Sequence, residues 1–429
     1  MITKENGLRY AKLIHVSVDN GKTDNSNKVY IMEELVDGRI KCEYGRVGKN
    51  MATVFKNKTE WDKILREKTS NTKGYTDVTE LLAEPVVDNS NPASKTNTVD
   101  AIKDAMVKKL VQDLMAYANK SIQKNYKVTQ DAVSEQQVES AQEVLSRVTA
   151  MLKVGGDLKD VNNELLKLYT IIPRKMDNVK NHLVQGLVDD DELEKAQRLL
   201  GEEQSALDTM SGQVKLIKQQ KQSVETTGEE MSDIDILTQM GLKVEVEKDS
   251  ETLNLITKLL GDNSNKAKKV FKVVNIATQT KFDAHYKTAK VKKKRLYWHG
   301  SRNENWFNII QTGLMIRPSG AVYTGSMFGD GVYFANKSQK SLGYSSLSGS
   351  HWTRGNSSVG FLALFDVHLG NEKHIHKHDS SCYKLNYSNI QNDGFDSVYA
   401  HGGADLRNDE FIIYNPVQCT ISHLIQMES

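Results

Sequence analysis

The chain has 429 residues, enough for about two to four domains that each bury a core. Hydrophobic residues make up 38% and charged ones 26%, which excludes a disordered chain. With 57 Lys and Arg against 55 Asp and Glu, the net charge of +2 gives no argument for a polyanion held by the whole surface, so nucleic acid would need a local patch.

No stretch approaches the roughly eighteen consecutive apolar residues of a membrane span, and Met1-Ile2-Thr3-Lys4-Glu5 has no apolar signal core. The expectation is an intracellular protein without membrane partners. Cys42, Cys382 and Cys419 are scattered and odd in number, which predicts neither a disulfide framework nor a zinc site and fits a reducing compartment.

In chain order, residues 1–82 read as a β-rich module. Leu13 to Val18 and Lys28 to Met32 are strands flanking a loop rich in Asn, Asp and Gly, and a third strand surrounds Arg39 to Gly48. Thr59 to Thr69 reads as a helix with Trp61, Ile64 and Leu65 on one side. Residues 83–98, with two of the five prolines and a cluster of Asn and Ser, read as a linker. From 99 to 262 the pattern is helical: Val138, Ala141, Leu145, Val148 and Leu152 recur at 3-4-3-4 spacing, and Leu158, Val161, Leu165 and Leu168 repeat it. Gly155-Gly156 and Pro173 interrupt the stripes, which favours an all-α helical bundle over a coiled coil. Residues 263–429 become strand-like at 269–276, 295–299, 331–335, 360–369, 410–414 and 419–427, with a short helix at 303–312 closed by Gly313. A mixed α/β domain is expected there, and the fold class overall is multidomain α+β.

The chemistry concentrates in this last part. Tyr297-Trp298-His299-Gly300-Ser301-Arg302 is followed by Thr324 to Ala335, which contains Met327-Phe328-Gly329 and Tyr333, then by Lys340-Ser341-Leu342-Gly343-Tyr344, and finally by Asn408-Asp409-Glu410-Phe411. This ordered set resembles the His-Tyr-Glu signature of the poly(ADP-ribose) polymerase catalytic domain, whose sheet is split and antiparallel. The resemblance implies NAD+ as the substrate, with no metal. The nicotinamide leaves as a neutral ring from a pyridinium and needs no general acid, so one carboxylate can do the work that glycoside hydrolysis divides between two.

The resemblance also implies roles. Gly300 offers its backbone to the nicotinamide amide and its missing side chain lets the ring approach. Ser341 bonds the same amide, while Tyr344 and Tyr333 stack on the ring. His299 holds the ribose on the adenine side with help from Ser301. Glu410 bonds the nicotinamide ribose and polarises the acceptor, and Lys340 lines the acceptor side. A glutamate at the third triad position is what chain-elongating members have. It favours polymer over single-unit transfer, with a mono-ADP-ribosyltransferase and a catalytically idle nucleic-acid-binding scaffold as the alternatives. Ser326 departs from the tyrosine that many members carry before Met327, and the loop lining the donor site carries Arg317 and Pro318.

Further upstream, Tyr44-Gly45-Arg46-Val47-Gly48 with Trp61 and Lys68 to Tyr75 is similar to a WGR domain, although its leading tryptophan is Tyr44 here. That resemblance implies DNA ends as partners, met by Tyr44 and Arg46, and DNA-end stimulation. Over residues 1–75 Lys and Arg exceed Asp and Glu by five, consistent with a phosphate footprint. Leu168-Tyr169-Thr170-Ile171-Ile172-Pro173 is similar to part of the family's regulatory helical domain, but residues 128–137 stand where another of its motifs is absent. Expected acceptors are proteins, this chain included. The expected compartment is the cytoplasm for a prokaryotic or viral chain and the nucleus for a eukaryotic one.

Two clusters carry competing readings. His374, His376 and His378 alternate along one expected strand near Cys382, as a metal site or as incidental surface histidines. Lys290 and Lys292 to Arg295 read as a nuclear address, a polyanion patch, a contact for substrate phosphates or a solvated approach to the catalytic strand.

Overall fold

The strand-like runs of the N-terminal module form a six-stranded antiparallel sheet. The computed structural model describes residues 2–3, 8–18, 25–81, 99–127, 133–227, 235–316 and 327–429. Strands β1 (Ile2–Thr3), β2 (Arg9–Val18), β3 (Asn25–Glu34), β4 (Arg39–Arg46) and β5 (Ala52–Asn57) lie in that order, and after helix α1 (Trp61–Lys68) a short β6 (Thr76–Asp77) pairs with β2. Register puts Ala11, Met32 and Cys42 on one face, and Trp61 and Ile64 of α1 bury against them. The expected helix and its apolar side are both present. The expected linker at 83–98 lies outside the described residues.

The helical stripes form one apolar cluster. Val138, Ala141, Leu145, Val148 and Leu152 of α3 (Glu135–Lys153) meet Val161, Leu165 and Leu168 of α4 (Leu158–Ile171) and Ala196, Leu200, Leu207 and Met210 of α5 (Asp190–Thr227); α2 (Ala105–Asn125) contributes Ile122. Ser134 caps α3 by accepting from the Gln137 amide at 3.0 Å while Gln137 Oε1 accepts from the Ser134 amide at 3.1 Å, a reciprocal box that fixes the start. Helix α4 ends at Ile171, since the next residue, Ile172, is extended before Pro173, which disfavours a helical conformation there. Just beyond, Arg174 and Glu203 form a buried ion pair at 2.8 Å, and the Arg174 carbonyl accepts from Asn27 Nδ2 at 3.3 Å.

By compactness the chain divides into two units, one of residues 1–92, 121–214 and 322–324 and one of 93–120, 215–321 and 325–429. The helical reading of 99–262 fails at 242–246. After α6 (Ile236–Gln239), Leu242–Val246 is strand β7, because Leu242 and Val244 alternate with exposed Lys243 and Glu245 and pair with the next strand.

The second unit holds two sheets. Helix α7 (Ser250–Leu260), β8 (Ala267–Asn275), α8 (Ile276–Thr288), β9 (Lys294–Gly300), α9 (Asn303–Thr312), β10 (Val332–Phe334), α10 (Ser338–Leu342), β11 (Val359–His368), β12 (Glu372–Ile375), α11 (Tyr387–Asn392), β13 (Ser397–Ala400), β14 (Glu410–Ile413) and β15 (Cys419–Glu428) follow in sequence. The five-stranded sheet has the order β7-β8-β15-β11-β9 and is antiparallel throughout. The four-stranded sheet has the order β10-β14-β13-β12, with only β12 and β13 parallel. Interior strand β11, between β15 and β9, is buried from Gly360 to Phe365, hence its unbroken apolar run. Gly313, with φ 78°, terminates α9 at the expected position. Reciprocal backbone bonds between Trp298 and Ala335, at 2.8 and 3.0 Å, join the two sheets beside the signature residues.

Candidate active site

Strand β9 delivers the first signature residues. Tyr297 and Trp298 are buried, the Tyr297 ring lying 4.3 Å from that of Phe411, and this anchorage fixes where the strand ends. His299 follows, ringed by Trp306, Phe334 and Phe365 at 6.4, 5.8 and 6.0 Å. Its Nδ1 lies 3.0 Å from the Tyr333 carbonyl. A carbonyl can only accept, so Nδ1 carries the proton in the neutral ring and Nε2 is left as an acceptor. Enclosure lowers the imidazole's pKa from the ordinary value, against the opposing pull of that carbonyl. A neutral acceptor suits a ribose hydroxyl.

Gly300 is glycine because of crowding. A Cβ there would stand 1.9 Å from the Ser341 carbonyl oxygen and 2.7 Å from its carbon. The end of β9 and helix α10 therefore touch backbone to backbone at the two residues expected to cradle an amide. Ser301 turns the chain into α9, its hydroxyl accepting from Asn305 Nδ2 at 3.1 Å and its carbonyl from Trp306 Nε1 at 3.2 Å.

The aromatic partners are held differently. Tyr333 accepts from the Phe328 amide at 3.0 Å and donates to the Gly329 carbonyl at 2.9 Å, so its hydroxyl is spent locking the Met327–Gly329 turn and its ring is what remains for a ligand. Burial pushes this phenol far up. Tyr344, three residues beyond Ser341, is also shifted up by burial, and its phenol adds a lesser upward push to that of Tyr333. The Trp352 ring lies nearly parallel to that of Tyr344, with centroids 6.0 Å apart.

Glu410 opens β14 buried, opposite Ala400 of β13. Its Oε1 is paired with Lys340 Nζ of α10, while its Oε2 is buried with no hydrogen-bond partner among the described residues. Burial pulls the Lys340 ammonium down to about 8, with the neighbouring Asp409 carboxylate opposing the shift. A buried carboxylate oxygen without a donor is costly. A ligand hydroxyl would satisfy it.

His299, Tyr333, Gly300, Ser341, Lys340 and Glu410 thus form a connected set through the His299–Tyr333, Gly300–Ser341 and Lys340–Glu410 contacts. Other expected residues fall elsewhere. Arg317, Pro318 and Ser326 lie outside the described residues. The histidine row is not one strand face: β12 ends at Ile375, His374 bonds His401 at 2.8 Å, the His376 ring stacks on His401 at 4.0 Å, and His378 turns to the Met327 carbonyl at 2.9 Å. Among the described residues no group of three or more His, Cys, Asp or Glu could hold a metal ion. Three residues of the basic cluster have partners in the fold: Lys292 donates to the Lys287 carbonyl at 2.8 Å at the end of α8, Lys293 pairs with Glu372, and Lys294 reaches Asp366 at 3.8 Å. In the N-terminal sheet, Tyr44 stacks on Tyr30 at 5.6 Å and is 38% exposed, while Arg46 Nη2 donates to the Asp177 carbonyl at 3.1 Å.

The sequence reading gave no role to Asp409, whose carboxylate accepts from Tyr399 Oη at 3.0 Å, Asn336 Nδ2 at 3.2 Å and the Gly402 amide at 2.9 Å and so fixes the backbone just before Glu410. It also missed Trp352, for which an aromatic pair inside a Gly- and Ser-rich stretch was the available signal.

The family model of the poly(ADP-ribose) polymerase catalytic domain matches residues 250–429, and the poly(ADP-ribose) polymerase-like protein 100L of Invertebrate iridescent virus 6 is 34% identical over 185 residues, which cover 42% of this chain and 96% of that protein. The chain belongs to the poly(ADP-ribose) polymerase family. The poly(ADP-ribose) polymerase of Drosophila melanogaster is 26% identical over 326 residues, 69% of this chain and 31% of that one. Poly(ADP-ribose) polymerase 1 of Gallus gallus is 24% identical over 467 aligned positions, 94% of this chain and 44% of its own length. Membership makes this an ADP-ribosyltransferase chain whose catalytic domain uses NAD+ as substrate. The Glu410 oxygen without a donor is compatible with that substrate, since a ribose hydroxyl could donate to it. The matched region starts in α7, ahead of the 263 boundary expected from sequence, and takes in a helix first read with the helical domain. Among the described residues no helix is long and apolar enough to cross a membrane.

Proposed function

We propose that this chain breaks the nicotinamide–ribose bond of NAD+ and transfers ADP-ribose to protein acceptors, itself included, building a polymer with stimulation by DNA ends. The observation that carries the chemistry is the buried Glu410 carboxylate, one oxygen paired to Lys340 and the other without a donor. The ring nitrogen takes the electron pair of the broken bond and leaves as neutral nicotinamide. The acceptor oxygen forms the new bond to the ribose carbon, and a hydroxyl acceptor passes its proton toward Glu410. His299 Nε2 accepts from the other ribose, Gly300 and Ser341 hold the amide, Tyr333 and Tyr344 take the ring faces, and Ser301 supports the turn beside His299. Lys340 lines the acceptor side and holds Glu410 in place until substrate arrives.

The DNA reading rests on the N-terminal sheet, proposed as a WGR-like module. Tyr44 exposes part of a ring already backed by Tyr30, over which Lys68 Nζ stands at 4.4 Å, and this suits a terminal base or sugar beside phosphate. The Asp177 carbonyl holds the Arg46 guanidinium in place there.

The test is release of nicotinamide from labelled NAD+, with and without short duplexes bearing free ends, followed by gel separation of products. Wild type should give a ladder that strengthens with DNA, and Glu410→Ala should lose about 10²–10³ in rate. Equal rates for the two proteins would refute the chemistry. A single-unit product would point to mono-transfer, and indifference to DNA would remove the activation while leaving the transfer standing.

A further inference from the structure

Of the four tryptophans, Trp61, Trp298 and Trp306 are at most 1% exposed, whereas Trp352 is 56% exposed. A large indole is ordinarily well covered, and this one is held at the surface by a built loop. The Trp352 and Thr353 amides both donate to the Gly343 carbonyl, at 3.0 and 3.3 Å, and the Thr353 hydroxyl donates to the Ser345 carbonyl. Buried Ser345 and Ser350 donate to the Leu342 carbonyl at 2.8 and 3.0 Å, tying the loop to the end of α10. Bonds from the Ser348 amide to the Ser357 carbonyl, at 2.8 Å, and from the Ser357 amide to the Ser346 carbonyl, at 3.0 Å, close it. Arg354 has φ 48°, the single non-glycine in the left-handed region among the described residues. Such strain persists where surrounding structure enforces it, often at functional sites.

What the loop holds in place is the indole against Tyr344: centroids 6.0 Å apart, planes 20° from parallel, an offset stack. The His351 ring stands edge-on to Trp352 at 4.8 Å and braces it. Gly343 leaves room for this, since a Cβ there would lie 3.0 Å from Trp352 Cδ1.

We propose that Trp352 is a positioning residue of the nicotinamide subsite, backing the outer face of the Tyr344 ring so that the inner face meets nicotinamide already oriented. The proposal rests on the reading that Tyr344 stacks on that ring. A half-buried phenol without a backing partner must give up rotamer freedom when the ligand arrives, and the indole removes that cost beforehand.

The experiment is steady-state nicotinamide release by the full chain as wild type, Trp352→Ala, Trp352→Phe and Tyr344→Ala, with thermal unfolding of each. Loss of one aromatic stack corresponds to about a fivefold change. Trp352→Ala is therefore expected to raise KM for NAD+ and the inhibition constant of nicotinamide about fivefold with kcat within about twofold, and Trp352→Phe to restore both. Wild-type KM in Trp352→Ala beside a raised KM in Tyr344→Ala would overturn the inference and leave the pocket reading standing. Unchanged KM in Tyr344→Ala would overturn the pocket reading and this inference with it. A fall in kcat matching a fall in unfolding temperature would show a merely structural loop and overturn the proposal.

Discussion

Replacing Gly300 by alanine tests the site at its tightest point. The added methyl would sit 1.9 Å from the Ser341 carbonyl oxygen, where real Cβ contacts stay beyond 3.0 Å, and the neighbour is backbone that cannot rotate away. At least about 1 Å must open between the end of β9 and α10, and both are anchored, β9 by its pairing with β11 and α10 by Ser338 donating to the Leu260 carbonyl at 2.7 Å. Overpacking of this kind costs about 1–3 kcal/mol, a few degrees of unfolding temperature for a unit of this size. The same shift moves Ser341 away from Gly300, and a 1 Å misplacement around a reacting centre costs on the order of 10²-fold in rate. Gly300→Ala is therefore expected to lower kcat/KM for nicotinamide release about 10²-fold while unfolding a few degrees earlier. Wild-type kinetics with an unchanged unfolding temperature would refute the close approach. An earlier unfolding with unchanged kinetics would keep the packing but remove it from the site.

Further outcomes follow from buried charge. Arg174→Met strands Glu203 in the apolar cluster and should cost about 3–5 kcal/mol by urea unfolding, whereas adding Glu203→Leu should recover most of it, because the pair's own desolvation is then avoided. A double variant as unstable as the single one would mean that Glu203 is not the cause. For His299, burial favours the neutral ring, so the unfolded chain binds more protons near the ordinary imidazole pKa of about 6.5. Its contribution to stability is complete above that value and declines as pH falls below it. Unfolding temperature should therefore fall less steeply between about pH 7 and 5 in His299→Gln than in wild type. Comparison with wild type is needed because His423, lowered chiefly by burial, acts in the same sense. Equal slopes would place the imidazole in water.

The sequence alone determined much of this molecule, because local rules act at short range. Apolar runs beside turns rich in Asn, Asp and Gly marked β2 to β4, 3-4 spacing marked the buried faces of α3 and α4, and Gly313 marked the end of α9, each decided by residues within a few positions of one another. The residue types of His299, Tyr333 and Glu410 stand in the sequence in that order, and the fold sets His299 against the Tyr333 carbonyl. Strand β7 was hidden because five alternating residues follow a long helical run, and only pairing with β8 makes them a strand. The histidine row failed for the converse reason: alternation beyond Ile375 has no ladder to enforce it, and His378 found the Met327 carbonyl instead. Tertiary structure alone decided that Lys340 closes on one oxygen of Glu410 and leaves the other bare, that Gly300 is empty for the sake of Ser341, and that Trp352 stacks on Tyr344. Those facts depend on where separate elements come to rest, and close packing between distant segments leaves no periodic trace in the chain.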